Sequence, residues 1–225
     1  MYIISSKFIN KKNLEKYGGY AFLLGIFFLP STLFISSLFL LISAMIGGII
    51  NKKNFFTDLW NLPLILFGIL ITLSAFVHNI FDSKYSEIID SNLSFVGIGN
   101  WIPFFWIFWA FQPFLNSHKK KRNFAKALVA GTFPVLISGF SQYFFNWFGP
   151  FQILNELIIW YQKENTTGAL SGLFSNPNYA GSWLNIVWPF CIALTLDKNQ
   201  IYLKKAISLV FLISVGLAIF LSYSR

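Results

Sequence analysis

Residues 21–50, AFLLGIFFLPSTLFISSLFLLISAMIGGII, contain no charged side chain. A second apolar block, ALTLDKNQIYLKKAISLVFLISVGLAIFLSYS, is interrupted only by a short basic loop. Apolar runs of about 18 residues or more read as membrane-spanning helices, since a helix satisfies its own backbone inside hydrocarbon. Composition agrees: 11% of the residues are charged and 56% hydrophobic, whereas a soluble domain carries about 25% charged residues. The expected fold is an all-α, polytopic integral membrane bundle of about seven spans, at 20–33, 34–50, 62–80, 100–115, 127–146, 177–196 and 205–222.

The first two spans need a decision. One helix over 20–50 would run about 46 Å, against a hydrocarbon core of about 30 Å, while the arms of a hairpin turning near Leu29-Pro30-Ser31-Thr32 are short for full crossings. The lysines decide, because cytoplasmic loops carry the Lys/Arg excess. Lys7, Lys11, Lys12 and Lys16 precede the run and Lys52 and Lys53 follow it, so both flanks belong inside and a short hairpin is expected. The loops with Lys119, Lys120, Lys121, Arg122 and Lys126, and with Lys198, Lys204 and Lys205, then fall on the same side. Only Lys84, Lys163 and Arg225 remain outside, beside Asp82, Glu87, Asp90, Glu156 and Glu164. The net charge of +9 is therefore a topology signal and not a nucleic-acid footprint.

This gives a cytoplasmic tail at 1–19, a transmembrane region at 20–146, an outer loop at 147–176 and a further membrane region at 177–225. The first run follows a polar lead without a small-residue cleavage site, so its helices are expected to stay in the mature chain. Trp101, Trp147, Trp160 and Trp183 fall near the outer boundaries, where an aromatic belt belongs. Within QILNELIIWYQ (152–162), apolar residues at 153, 154, 157, 158 and 161 predict a short amphipathic helix on the outer surface. The single cysteine, Cys191, excludes an internal disulfide and a cysteine-based metal cluster. No span contains an acidic residue and no transporter-like repeat is visible, which counts against ion-coupled transport.

Polar residues at the span ends are the candidate functional groups. In GLFSNPNYAG (172–181), Asn176 fits a helix cap and Pro177 the first helical position. That accounts for a helix start, yet Asn178, Tyr179, Gly181 and Ser182 add polar and small groups to its first turn. The free N–H groups of a helix start could also receive an anion. Arg225 emerges where basic residues are scarce, either snorkelling to lipid headgroups or gripping phosphate oxygens. Gln142 reads as a helix–helix hydrogen bond. His78 and Asn79 end a span as solvated groups, and the sequons at 92–94 and 165–167 match by chance frequency.

The stretch 172–181, the apolar helix with Pro189, the short basic loop and S-Y-S-R (222–225) together resemble the O-antigen ligase/polymerase superfamily. ISGFSQYF (137–144) is similar to that family's Gly-x-x-Gln-Tyr segment, and the hairpin around Pro30 to its first two spans. The resemblance implies a GT-C-like integral membrane glycosyltransferase of the bacterial inner membrane, with a cytoplasmic amino terminus. Such an enzyme moves glycan from undecaprenyl diphosphate to a lipid or glycan acceptor at the outer face, as in lipopolysaccharide biosynthesis. It uses no metal, nucleotide or other cofactor, and its partners include membrane lipids but no nucleic acid.

Arg225 matches a family position that holds the carrier diphosphate, and Asn176 and Asn178 match the doorway motif, with a structural or acceptor-side role. With Gln142 they form the candidate substrate-binding set, the catalytic residues being unassigned. The family continues with a loop carrying a catalytic histidine and arginine, which His78 and His118 do not match. Residues 177–225 thus resemble the truncated start of the O-antigen ligase-related domain, and residues 1–225 the amino-terminal part of the enzyme, expected to be inactive alone. An inorganic-carbon transporter, the label given to one branch of the family, and a non-catalytic membrane subunit are the alternatives.

Overall fold

A turn at Leu29-Pro30-Ser31-Thr32 splits the first apolar run into helices α1 (Lys11–Phe28) and α2 (Leu33–Ile50). The computed structural model describes residues 11–51, 55–81, 92–153, 158–162, 168–197 and 201–223. The hairpin is the arrangement the lysine distribution requires, but α1 begins well before residue 20, so the first arm is longer than the apolar run alone indicates, while α2 ends with that run. Its seam is small and polar. Ser36 Oγ donates to the Gly25 carbonyl at 2.8 Å, and Ser43 Oγ to the Gly18 carbonyl at 3.0 Å. Glycine and serine thus recur at heptad spacing on facing arms, letting the backbones approach and bond across the interface. Lys11, Lys12 and Lys16 leave the hairpin at the same end as Asn51.

The rest of the chain comprises a 3-10 turn (Leu59–Asn61), α3 (Leu62–Phe81), α4 (Asn92–Ala110), α5 (Gln112–Leu115), α6 (His118–Gly131), α7 (Phe133–Phe145), β1 (Gly149–Ile153), β2 (Ile158–Gln162), α8 (Pro177–Thr195) and α9 (Tyr202–Leu221). Four stretches are long and apolar enough to cross a membrane: 33–50, 59–78, 118–145 and 202–221. Their outward side chains are apolar too, with Ile49 71% and Phe220 72% exposed. This is a membrane-protein architecture.

The chain divides into two compact units. The first takes residues 1–18 and 43–114. Its core is Ala44, Trp109 and Ala110, packed with Phe55, Trp106, Ile107 and Phe111. A Cβ on Gly47 would strike the Ala110 carbonyl, so α2 and the end of α4 meet backbone to backbone. Asn51 Nδ2 donates to the Trp109 carbonyl at 3.0 Å, and buried Asn61 to that of Phe55 at 2.9 Å. Helices α3 and α4 pack together through Phe76 and Phe95.

The second unit takes residues 19–42 and 115–225. Helix α8 is its centre: Ala180, Leu184, Val187, Cys191 and Leu194 are all buried, at alternating spacings of four and three residues. That stripe packs on α9 and α6. The pairing with α6 is antiparallel, since Phe190 meets Phe124 and Asp197 meets Arg122 at 2.7 Å. Arg122 and Lys126 consequently share one end of this unit with Lys204 and Lys205, as the lysine pattern requires.

Three elements depart from expectation. The span expected at 127–146 is two helices, α6 and α7, broken at Thr132. Pro134 has no N–H to give and crowds the carbonyl four residues back, so a helix cannot run through it undisturbed. The span expected at 100–115 starts at Asn92 and stops at Ala110, ahead of Pro113. The surface helix expected over 152–162 is instead an antiparallel hairpin, β1 with β2, in register from Gly149 opposite Gln162 to Ile153 opposite Ile158. Ile158-Ile159-Trp160-Tyr161 is β-branched and aromatic and favours strand, so local preference overrides the apolar spacing. Lys7, Lys52, Lys53, Lys84, Lys163, Lys198, the acidic residues 82, 87, 90, 156 and 164, and the sequon at 165–167 lie outside the described residues.

Candidate functional site

The segment before α8 is expected to be an outer loop, but its last part is sunk into the second unit. Ala169, Leu170 and Ser171 are buried between two glycines of positive φ, Gly168 (66°) and Gly172 (60°). Residues with a Cβ adopt that left-handed backbone at a cost. Leu170 N donates to the Leu221 carbonyl at 3.0 Å, and its side chain fills the space a Cβ on Gly139 would need. Gly172 also lies so close to α7 that a Cβ would stand 2.9 Å from the Val135 carbonyl.

Gln142 holds this loop in place. Its Oε1 accepts from Ser171 N at 3.1 Å, Ser171 Oγ at 3.0 Å and Gly172 N at 3.0 Å. The expected helix–helix bond is therefore a helix-to-loop clamp, made by a side chain only 3% exposed. The next residue, Tyr143, places its hydroxyl 3.3 Å from that of Tyr223. Ser222 ends α9, its Oγ donating to the Ile219 carbonyl at 2.7 Å, and Tyr223 turns the chain with φ 48°.

The helix start itself is capped from within. Asn176 is extended (φ −145°, ψ 135°), and its side chain accepts from Asn178 N at 2.8 Å. Its carbonyl accepts from Tyr179 N and Ala180 N. Pro177 has no N–H, so the donors of the first turn are taken, and an anion arriving here would meet side chains in their place. Asn176, Asn178 and Tyr179 are exposed. Trp183, expected in an interfacial belt, is half-buried and donates its indole N–H to Thr132 Oγ1 at 3.1 Å, at the break between α6 and α7.

The structure thus brings together 137–144, the loop and doorway at 168–181, and the end of α9 at 221–223. Of the predicted residues, Gln142 is buried against the loop, and Asn176 and Asn178 are exposed where the loop runs into α8. Arg225 lies outside the described residues. Stretches 127–155, 168–196 and 206–223 carry no charged side chain, so Arg225 is the first charge after the Tyr223 turn. Tyr143, Ser171 and Tyr223 went unpredicted. The adjacency of Gln142 and Tyr143, each with a partner in a different motif, is the signal that would have found them. His78 sits half-buried in α3 and His118 exposed at the start of α6, in different units. Among the described residues, no three of His, Cys, Asp and Glu are grouped to hold a metal ion. No protein-family model, curated protein or solved structure matches the chain.

Proposed function

We propose that this chain is a membrane glycan transferase of the O-antigen ligase or polymerase kind. On this reading it crosses the bacterial inner membrane seven times, with a cytoplasmic amino terminus. It moves glycan from undecaprenyl diphosphate to a lipid or glycan acceptor at the outer face. One observation carries the reading: the three separate segments that resemble the superfamily meet at one end of the second unit, through Gln142–Ser171/Gly172 and Tyr143–Tyr223.

The reaction is a displacement at the anomeric carbon. The bond from that carbon to the carrier phosphate oxygen breaks, the acceptor hydroxyl oxygen bonds in its place and releases its proton to solvent, and undecaprenyl diphosphate leaves with the electron pair. Charge building on the diphosphate is the difficulty, and a positive group already in position lowers its cost. Arg225 has that role, at an end of the unit where the described residues carry no charged side chain. Asn176 shapes the doorway and Asn178 offers its amide to the acceptor side, while Gln142 keeps the loop behind them fixed.

The test is the surface-glycan pattern of a strain deleted for this chain and complemented with wild type or Arg225→Ala. Wild type is expected to restore polymerised or ligated glycan, and Arg225→Ala to fail at equal membrane abundance. Unchanged glycan in both the deletion and the Arg225→Ala strain would sink the reading. A loss of labelled bicarbonate uptake instead would put transport in its place.

A further inference from the structure

At the end of the second unit far from the doorway, a cavity of about 310 Å³ opens between α6 and α9, lined by Arg122, Lys126, Lys204 and Ser208 with Leu194 and Ile207. Three cations face it. The carboxylate of Asp197 bonds Arg122 at 2.7 Å and leaves Lys126 and Lys204 exposed. Arg122 Nε is buried and has no hydrogen-bond partner among the described residues. A buried guanidinium N–H without an acceptor is costly, and an oxygen-rich anion would relieve it. Ile207 also lines a second hollow of about 420 Å³, formed by Phe133, Ile137 and Phe140 of α7 and Val210 and Phe211 of α9. A cationic pocket and an apolar groove therefore adjoin at Ile207.

We propose that this pocket binds the headgroup phosphate of an anionic glycerophospholipid, one acyl chain of which lies in the α7–α9 groove. The shared chemistry is that of any phosphate. The groove singles out a lipid as the source, since a free phosphate has nothing to place there. Basic pockets between membrane helices on the lysine-rich side take anionic headgroups for the same reason. The site is independent of the glycan chemistry at the other end of α8.

The test uses the full chain purified in a neutral detergent, with thermal unfolding followed as lipid is added. Phosphatidylglycerol is expected to give a saturable upward shift, and phosphatidylcholine and millimolar inorganic phosphate none. Lys126→Gln with Lys204→Gln should raise the phosphatidylglycerol midpoint roughly tenfold or more, while Arg122 is kept so that its pair with Asp197 survives. Equal shifts from phosphatidylcholine, or an unchanged midpoint in the double variant, would overturn the site. A shift from inorganic phosphate alone would overturn the lipid as its source. The wild-type lipid comparison decides the matter even if the double variant folds poorly.

Discussion

At the residue scale, Gln142 and Tyr143 are neighbours in sequence with different duties. Gln142 receives three hydrogen bonds in a buried place, so removing its carbonyl strands two backbone N–H groups. Gln142→Leu is expected to cost about 2–4 kcal/mol, read as a lower thermal midpoint in detergent. A midpoint within error of wild type would mean that the loop is held elsewhere. Tyr143 has an accessible partner at 3.3 Å, too long and exposed a contact to matter much for folding. Tyr143→Phe should therefore leave stability within about 0.5 kcal/mol and still lower glycan product, because the hydroxyl pair lies where the three segments meet. Loss of stability in step with product would reduce Tyr143 to a packing residue.

At the scale of elements, close approach depends on what is missing. Gly131 packs against the Phe27 carbonyl so tightly that a Cβ would collide with backbone. Gly131→Leu should separate α1 from α6 and cost about 3 kcal/mol, measurable as loss of folded protein on size exclusion. Ser36→Ala and Ser43→Ala, which leave the backbone untouched, should cost about 1 kcal/mol each. A helix start and its cap were legible at Asn176-Pro177, because capping is a local matter of one side chain and the next two residues. The α1–α2 turn was legible from Pro30 and the flanking lysines. The strands at 149–162 were not, since apolar residues at 153, 154, 157, 158 and 161 fit a helix as well as a hairpin. Nor was the break at Thr132, where Pro134 fell inside an unbroken apolar run. The Gln142 clamp is a contact between residues 29 and 30 positions apart, and periodicity carries no information at that range.

At the scale of the whole molecule, the question is which end of the second unit meets which side of the membrane. Helix α8 has 19 residues, about 28 Å at 1.5 Å per residue, so its ends lie on opposite sides of a hydrocarbon core if it spans one. The doorway end has no charge in the described residues, and the other gathers Arg122, Lys126, Lys204 and Lys205. Lysine-rich ends stay in the cytoplasm. The chain provides its own background for testing this, because its single cysteine, Cys191, is 1% exposed, buried four residues before the end of α8 and out of reach of aqueous reagents. Ser175→Cys places a thiol at an exposed position beside the cap without removing Asn176, and Lys205→Cys places one at the start of α9. A membrane-impermeant maleimide should label Ser175→Cys in intact cells, and Lys205→Cys only after permeabilisation. The reverse pattern would put the doorway in the cytoplasm, away from any lipid-linked glycan on the outer leaflet, and the transferase reading would fall with it. Equal labelling of both in intact cells would mean that α8 does not span the membrane at all.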